Sequence, residues 1–325
     1  MVQRSILRRS RLLRVALLTL AISASSRLLA ERASPLNASQ ASAQQPSPED
    51  SQVSVQQDVS YGTVGGHALL LDVYEPRELI SNSHDLRPAV VLIHGGSWTG
   101  FDKSTMERMG MFLSRSGFVA FSVDYRLFQS NGKATENAWP AQLDDVQRAV
   151  RWIRANAEKY HVDPNHIGAF GHSAGAQLAS LLGLEGTRDN SDPALAKYSS
   201  TVQAVVDVSG PTDFTVNHDA DGDAFLMKFL GGDYAHHSEL WRDASPAFHV
   251  SKQSPPFLIF HGTQDQEVPI AQAQELADKL KQAGDSVEFV KVDDVHTFRT
   301  PEAHRQLAIE SRDFFFRYLN PHGMR

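Results

Sequence analysis

Gly171-His172-Ser173-Ala174-Gly175 sets one hydroxyl between small residues. Glycines two positions away on either side allow a turn too sharp for larger side chains, which leaves the Ser173 hydroxyl projecting alone. A serine hydroxyl becomes a nucleophile only beside a base, and the base needs a carboxylate to orient it. His296, in Asp293-Asp-Val-His-Thr-Phe298, and Asp265, in His261-Gly-Thr-Gln-Asp-Gln-Glu-Val-Pro269, follow Ser173 in the chain order serine, acid, histidine. Glu267 is the competing acid, but beside Val268-Pro269 it reads as the start of the next helix, which favours Asp265. Upstream, His94-Gly95-Gly96-Ser97-Trp98 offers backbone N–H groups that can come close to a substrate oxygen. Ala174 heads a helix and adds its N–H and the positive end of the helix dipole. Gly95, Gly96, Ser97 and Ala174 are therefore the expected oxyanion donors in a nucleophilic acyl transfer.

Those residues must be held by an alternating pattern of strands and helices. Val53 to Val59 and Ala68 to Tyr74 alternate apolar and polar residues around Gly65-Gly66, which predicts an antiparallel opening pair. Ala89 to Ile93, Phe118 to Val123, Ile167 to Phe170, Val202 to Val208 and Phe257 to Phe260 are short apolar runs, as expected of parallel strands covered on both faces. Between them fall helical patterns over Ser104–Ser116, Ala141–Lys159, Ala174–Leu182 and Ile270–Ala283; the strand Val287–Val292 and a helix over Pro301–Tyr318 follow. The fold class this predicts is α/β, a three-layer sandwich with a mostly parallel central sheet, in one catalytic domain over 53–325. Residues 211–250 lack a clear strand and are expected to form a small cap over the pocket or a packed excursion. If the strands are parallel, Ser173, Asp265 and His296 all leave the same sheet edge.

Other candidates carry less. Trp98 either lines the substrate pocket or fills the core beneath the glycine loop, and His172 is a further pocket candidate. His94, His172 and His261 sit beside turn glycines, where hydrogen bonding to the turns is the expected role. Asp144 and Asp145 are expected to serve the N-terminus and surface of their helix. His218, His236 and His237, with Asp219, Asp221 and Asp223 nearby, have no ligand pair at helical spacing, so a polar loop is expected rather than a metal site.

The 325 residues hold 31 Lys+Arg against 38 Asp+Glu, a net charge of −7, which argues against a basic nucleic-acid binder. Cysteine is absent, so disulfides, thiolate nucleophiles and sulfur-ligated metals are excluded. Residues 1–30 carry six arginines, no acid and the apolar run Val15–Ile22, the layout of a signal peptide and too short to span a bilayer. Export to the periplasm or beyond the cell is the expectation, with an organelle transit peptide or a cytoplasmic chain with a disordered tail as alternatives. Residues 31–52, rich in Ala, Ser, Gln and Pro, read as a flexible linker. Without residues 1–30 the balance is 25 basic to 38 acidic residues, or −13.

From about Tyr61 to Tyr318 the sequence resembles the α/β-hydrolases, and within them the bacterial carboxylesterases of the hormone-sensitive-lipase-like group, including the feruloyl/acetylxylan esterase-like set called BD-FAE. The stretches that carry it are His94-Gly-Gly-Ser-Trp98, Val123-Asp-Tyr-Arg-Leu127, Asp163-Pro-Asn-His-Ile167, Gly168-Ala-Phe-Gly-His-Ser-Ala-Gly175, Ser209-Gly-Pro-Thr-Asp213, Ala244-Ser-Pro-Ala247 and Pro255-Pro-Phe-Leu-Ile-Phe-His-Gly262. Ser97 and Val295 depart from the glycines common at those positions. The resemblance implies a cofactor-free serine esterase acting on small or acetyl/feruloyl-type esters, with Ser173 as nucleophile, His296 as base and Asp265 orienting it. An amide hydrolase of arylformamidase or peptidase type on the same triad is the alternative, and a catalytically silent binding protein a more distant one. The expected partner is a small ester, with neither nucleic acid nor stable membrane insertion; the oligomeric state is left open.

Overall fold

Eight strands form one sheet in the order β1-β2-β4-β3-β7-β8-β9-β10 in this computed structural model, which describes residues 52–77, 86–132, 134–216 and 220–319. β1 (Val53–Val64) and β2 (His67–Pro76) make the antiparallel opening pair, and β2 also runs antiparallel to β4 (Val119–Val123). β3 (Arg87–Ile93), β7 (Val162–His172), β8 (Ala204–Val208), β9 (Phe257–Gly262) and β10 (Val287–Val292) are parallel. A two-strand ribbon, β5 (Gln129–Ser130) with β6 (Thr135–Glu136), stands apart. The putting-together of helices follows the strand periodicity. Val90 and Leu92 of β3 face one core and Val91 and Ile93 the other, because successive side chains point to opposite sides.

One face is covered by α1 (Glu107–Arg115) and α7 (Pro301–Leu319), whose Leu113, Phe314 and Phe315 are buried against Val90, Leu92 and Phe260. The other carries α2 (Ala141–Ala155), α3 (Ala174–Leu184) and α6 (Ile270–Ala283). On α2 the apolar residues Leu143, Val146, Val150 and Ile153 recur at three- and four-residue spacing and are all fully buried. The result is the three-layer α/β arrangement. β7 starts five residues before the apolar run Ile167–Phe170, since Val162 pairs with Arg87 across a register shift and the polar residues between them hide this extension in the sequence.

One expectation needs correction. Asp145 does not serve the helix surface: its buried carboxylate takes a two-toothed ion pair from Arg126 at 2.8 to 3.0 Å and also the Arg126 backbone N–H. Removing one partner of such a pair typically costs about 3–5 kcal/mol because the other charge is left stranded. The described residues of 211–250 form α4 (Ala220–Leu230), α5 (Tyr234–Asp243) and a short turn of helix at Pro246–Phe248, and none of them lines the cleft at Ser173. Their aromatic residues hold them in the core instead: Phe229 stacks on Trp98 at 4.7 Å, Trp241 is buried, and Asp243 accepts from Trp139 Nε1. The leader at 1–30, all but the last residue of the linker at 31–52, and His218 and Asp219 lie outside the described residues.

Asp144 offers a test of this packing. Burial pushes its carboxyl up to about 6, partly opposed by the positive charge of Arg188. Between about pH 4 and pH 6 the folded chain then keeps a proton that the unfolded chain has lost, so stability falls as pH rises through that window. Asp144→Asn is expected to raise stability at pH 8 by about 1 kcal/mol, a value discounted for partial exposure, and to change little at pH 4. Thermal melts at the two pH values check it.

Candidate active site

All three triad candidates leave the carboxyl edge of the parallel strands, where open α/β sheets place their ligand sites. β3 connects outward to β4 while β7 lies on its other side, so the loop after β3 and the turn after β7 flank the point where the winding reverses. Ser173 stands between β7 and α3 at φ 55° and ψ −122°, a strained backbone enforced by its neighbours. A Cβ on Gly171 would come within 2.0 Å of the Gly175 carbonyl oxygen, and one on Gly175 within 2.2 Å of the Ile93 oxygen. Only hydrogen fits at either position, and the close approach locks the turn against both β3 and α3.

The Ser173 hydroxyl lies 2.9 Å from His296 Nε2, and His296 Nδ1 lies 2.7 Å from Asp265 Oδ2. The imidazole therefore donates from Nδ1 to the carboxylate and accepts the serine proton at Nε2. Asp265 is fixed in turn: its Oδ1 accepts the N–H groups of Glu267 and Val268, and His261 Nε2 approaches its Oδ2 at 3.2 Å while bonding the Val268 carbonyl. Burial alone would raise the Asp265 carboxyl, but the hydrogen bonds from His261, His296 and Val268 outweigh it and hold the group far below the usual carboxylate range. Glu267, the rival acid, has a side chain 70% exposed and stands 3.8 Å from Nε2, on the serine side of the ring. It occupies the mouth of the site and leaves Nδ1 to Asp265.

The loop Gly95–Ser97 lies directly against the nucleophile. A Cβ on Gly95 would sit 3.2 Å from Ser173 Cβ. Gly96, Ser97 and Trp98 follow with three successive positive φ values, and Gly96 O accepts the N–H groups of Thr99 and Gly100. Ala174 is the first residue of α3, so its N–H has no partner within the helix. Gly95, Gly96 and Ser97 line the same cleft as Ser173.

The structure places the remaining candidates as follows. Trp98 is in the core, not the cleft: it is 5% exposed, stacks on Phe229 and donates from Nε1 to Gln177 Oε1 at 3.0 Å. His172 does line the cleft, and its Nε2 donates to the His296 carbonyl at 3.1 Å. Burial drives its ionisation down to about 4, so a neutral ring braces the loop that carries the base. His94 stacks on Tyr125 at 4.2 Å and bonds the Gly95 carbonyl at 2.8 Å.

Three residues that sequence reasoning missed hold these loops. Gln177 ties Trp98 to the Ala244 carbonyl; a long polar side chain four places after Ser173 on a largely apolar helix was the available signal. The Tyr125 hydroxyl donates to the His94 carbonyl at 3.0 Å. Asp294 accepts the N–H groups of Val295, Arg299 and Thr300, bonds that hold its carboxyl well below the usual range and cap the turn bearing His296.

A cleft of about 1350 Å³ opens from Ser173 and His296 and runs between α1 and the start of α7. Its apolar walls include Phe101, Met109, Phe112 and Leu307. The fold together with a serine on a tight strand-to-helix turn, bonded through histidine to a buried aspartate, defines the α/β-hydrolase class. The BD-FAE family model matches residues 71–280, and the chain belongs to that family.

Relatives from Mycobacterium tuberculosis include the one described as "Probable carboxylic ester hydrolase LipM", 31% identical over 69% of this chain and 51% of its own length. Esterase LipQ from the same organism is 30% identical over 74% of this chain and 56% of its own. The chain thus spans about half the length of these curated relatives. Among solved structures, esterase Est2 of Thermogutta terrifontis superposes with a TM-score of 0.69 at 25% identity, over 85% of this chain and 97% of Est2. A truncated carbohydrate esterase from gut microbiota gives 0.67 at 28% identity, over 83% of this chain and 97% of that one.

Proposed function

We propose that this chain is a serine carboxylic ester hydrolase working through an acyl-enzyme. The observation that carries the reading is the hydrogen-bonded line from Ser173 through His296 to Asp265 at the head of an open cleft. Ser173 Oγ attacks the ester carbonyl as His296 Nε2 takes its proton; the tetrahedral oxyanion is met by N–H groups from Gly95–Ser97 and Ala174; His296 then protonates the leaving alcohol. Water repeats the sequence on the acyl-enzyme, frees the acid and restores Ser173. Each well-placed oxyanion donor is typically worth about 3 kcal/mol in the transition state. The esterase names of LipM, LipQ and Est2 support the same reaction, and the butyrate-bound structure of Est2 favours short acyl groups. Acetyl and feruloyl esters are the finer substrate proposal, and the family match and the carbohydrate-esterase neighbour support it.

Export is part of the proposal: the arginine-rich start and the apolar run Val15–Ile22 form a leader over residues 1–30 whose removal would leave the linker and a strongly acidic enzyme. Among the described residues no helix is long and apolar enough to cross a membrane. The substrate reading is tested with 4-nitrophenyl esters of graded chain length, acetylated xylan, methyl ferulate and N-formylkynurenine. Turnover of short-chain esters at rates well above the formamide is expected; preference for the formamide would move the assignment to amide hydrolysis.

A further inference from the structure

The cleft is basic in an acidic protein. Arg108 and Arg115 lie seven residues apart on α1, two helical turns, and both line it; Arg299, just past His296, and Arg305, on the first turns of α7, line the facing wall. Arg305 is ion-paired with Glu302, whereas among the described residues no carboxylate stands within ion-pair distance of Arg108 or Arg299. Among the described residues the carboxylate side chains lining this cleft are Glu107 and Glu267, against four arginines, of which Arg305 is already paired with Glu302 and Arg115 has a partner of its own, in a chain whose net charge is −7. Met109, Phe112 and Leu307 add apolar surface to the same cleft.

We propose that the ester this site takes carries a negative charge, a carboxylate being the plainest case, on the part that extends along the cleft past an apolar or aromatic stem. The proposal rests on the esterase reading and names its substrate class. Guanidinium forks match carboxylate geometry, and a concave basic wall concentrates anions more than the same charges spread on a convex surface. The arginines are exposed, so each contributes modestly and the effect is screened by salt.

The test compares two pairs of esters in which methylation of a remote carboxylate removes the charge. One pair places the charge on the acid side: 4-nitrophenyl hydrogen glutarate against its methyl ester. The other places it on the alcohol side: 4-acetoxybenzoate against methyl 4-acetoxybenzoate. In one pair at least, kcat/KM for the anionic member is expected to exceed that for the neutral member by about fivefold or more at low salt. The preference should fall below about twofold in 0.5 M NaCl, and equally in an Arg108→Gln, Arg299→Gln double variant that keeps its rate on the neutral ester. Neutral esters turned over as fast as the anionic ones in both pairs would overturn the proposal, as would a preference that neither salt nor the double variant reduces. Should the double variant fail to fold, the salt response of the unaltered chain decides alone. Hydrolysis of neither member of either pair, or hydrolysis that survives Ser173→Ala, is a different failure and would overturn the esterase reading itself.

Discussion

Replacing Ser173 by alanine is expected to lower kcat/KM for a short-chain 4-nitrophenyl ester by on the order of 10⁵-fold while leaving the melting temperature within a few degrees. The hydroxyl is the atom that becomes bonded to the acyl group, and nothing else in the cleft stands at hydrogen-bond distance from His296 Nε2 in its place. Alanine keeps the small volume that the turn requires, so the Gly171 and Gly175 contacts with α3 and β3 survive. Residual hydrolysis would come from the oxyanion donors and from binding, which need no nucleophile on the protein. Initial rates with purified variant and parent, beside a thermal melt, settle the matter.

Asp265→Asn should come close in size, at about 10⁴-fold in kcat with KM changed by less than about threefold. An amide in place of the carboxylate can turn its NH₂ toward His296 Nδ1, which moves the ring proton to Nε2. That nitrogen then faces Ser173 as a donor and has no lone pair with which to take the serine proton. The effect is specific to the acid on the Nδ1 side. Glu267→Gln is expected to stay within about threefold of the parent, because Glu267 is exposed at the mouth and reaches only the Nε2 side at 3.8 Å. Equal losses in the two variants would contradict the assignment of the orienting acid. Since its hydrogen bonds hold the Asp265 carboxyl far below the ordinary range, its charge persists throughout the pH range in which such rates are measured.

The elements that carry this chemistry are legible in the sequence where a local rule governs them. The apolar runs ending at Ile93, Phe170 and Phe260 have the composition of strands buried on both faces, and the small residues around Ser173 permit one kind of turn. α6 spans the same residues that its spacing predicts, Ile270–Ala283. What local rules miss is decided by distant partners. Trp98 could turn to either side of its loop, and the partners that bury it, Phe229 and Gln177, are each about 80 residues or more away. Residues 211–250 lack a strand, which leaves a cap and a packed excursion equally open in the sequence; the contacts of Phe229 with Trp98 and of Asp243 with Trp139 form only in the folded chain. Asp145 looks like a helix-start acid until Arg126, nineteen residues earlier, is brought against it. The cleft wall was hidden for the same reason: α1 and the start of α7 meet only in the folded chain.

The central claim is that the Ser173 hydroxyl is an activated nucleophile. Treatment of the folded protein with a fluorophosphonate, followed by intact and peptide mass spectrometry, tests it without any assumption about the natural ester. A single stoichiometric adduct is expected on the peptide containing Ser173, formed far more slowly in Asp265→Asn and absent from Ser173→Ala. A folded protein that takes no adduct, or takes it on another residue, would contradict the account.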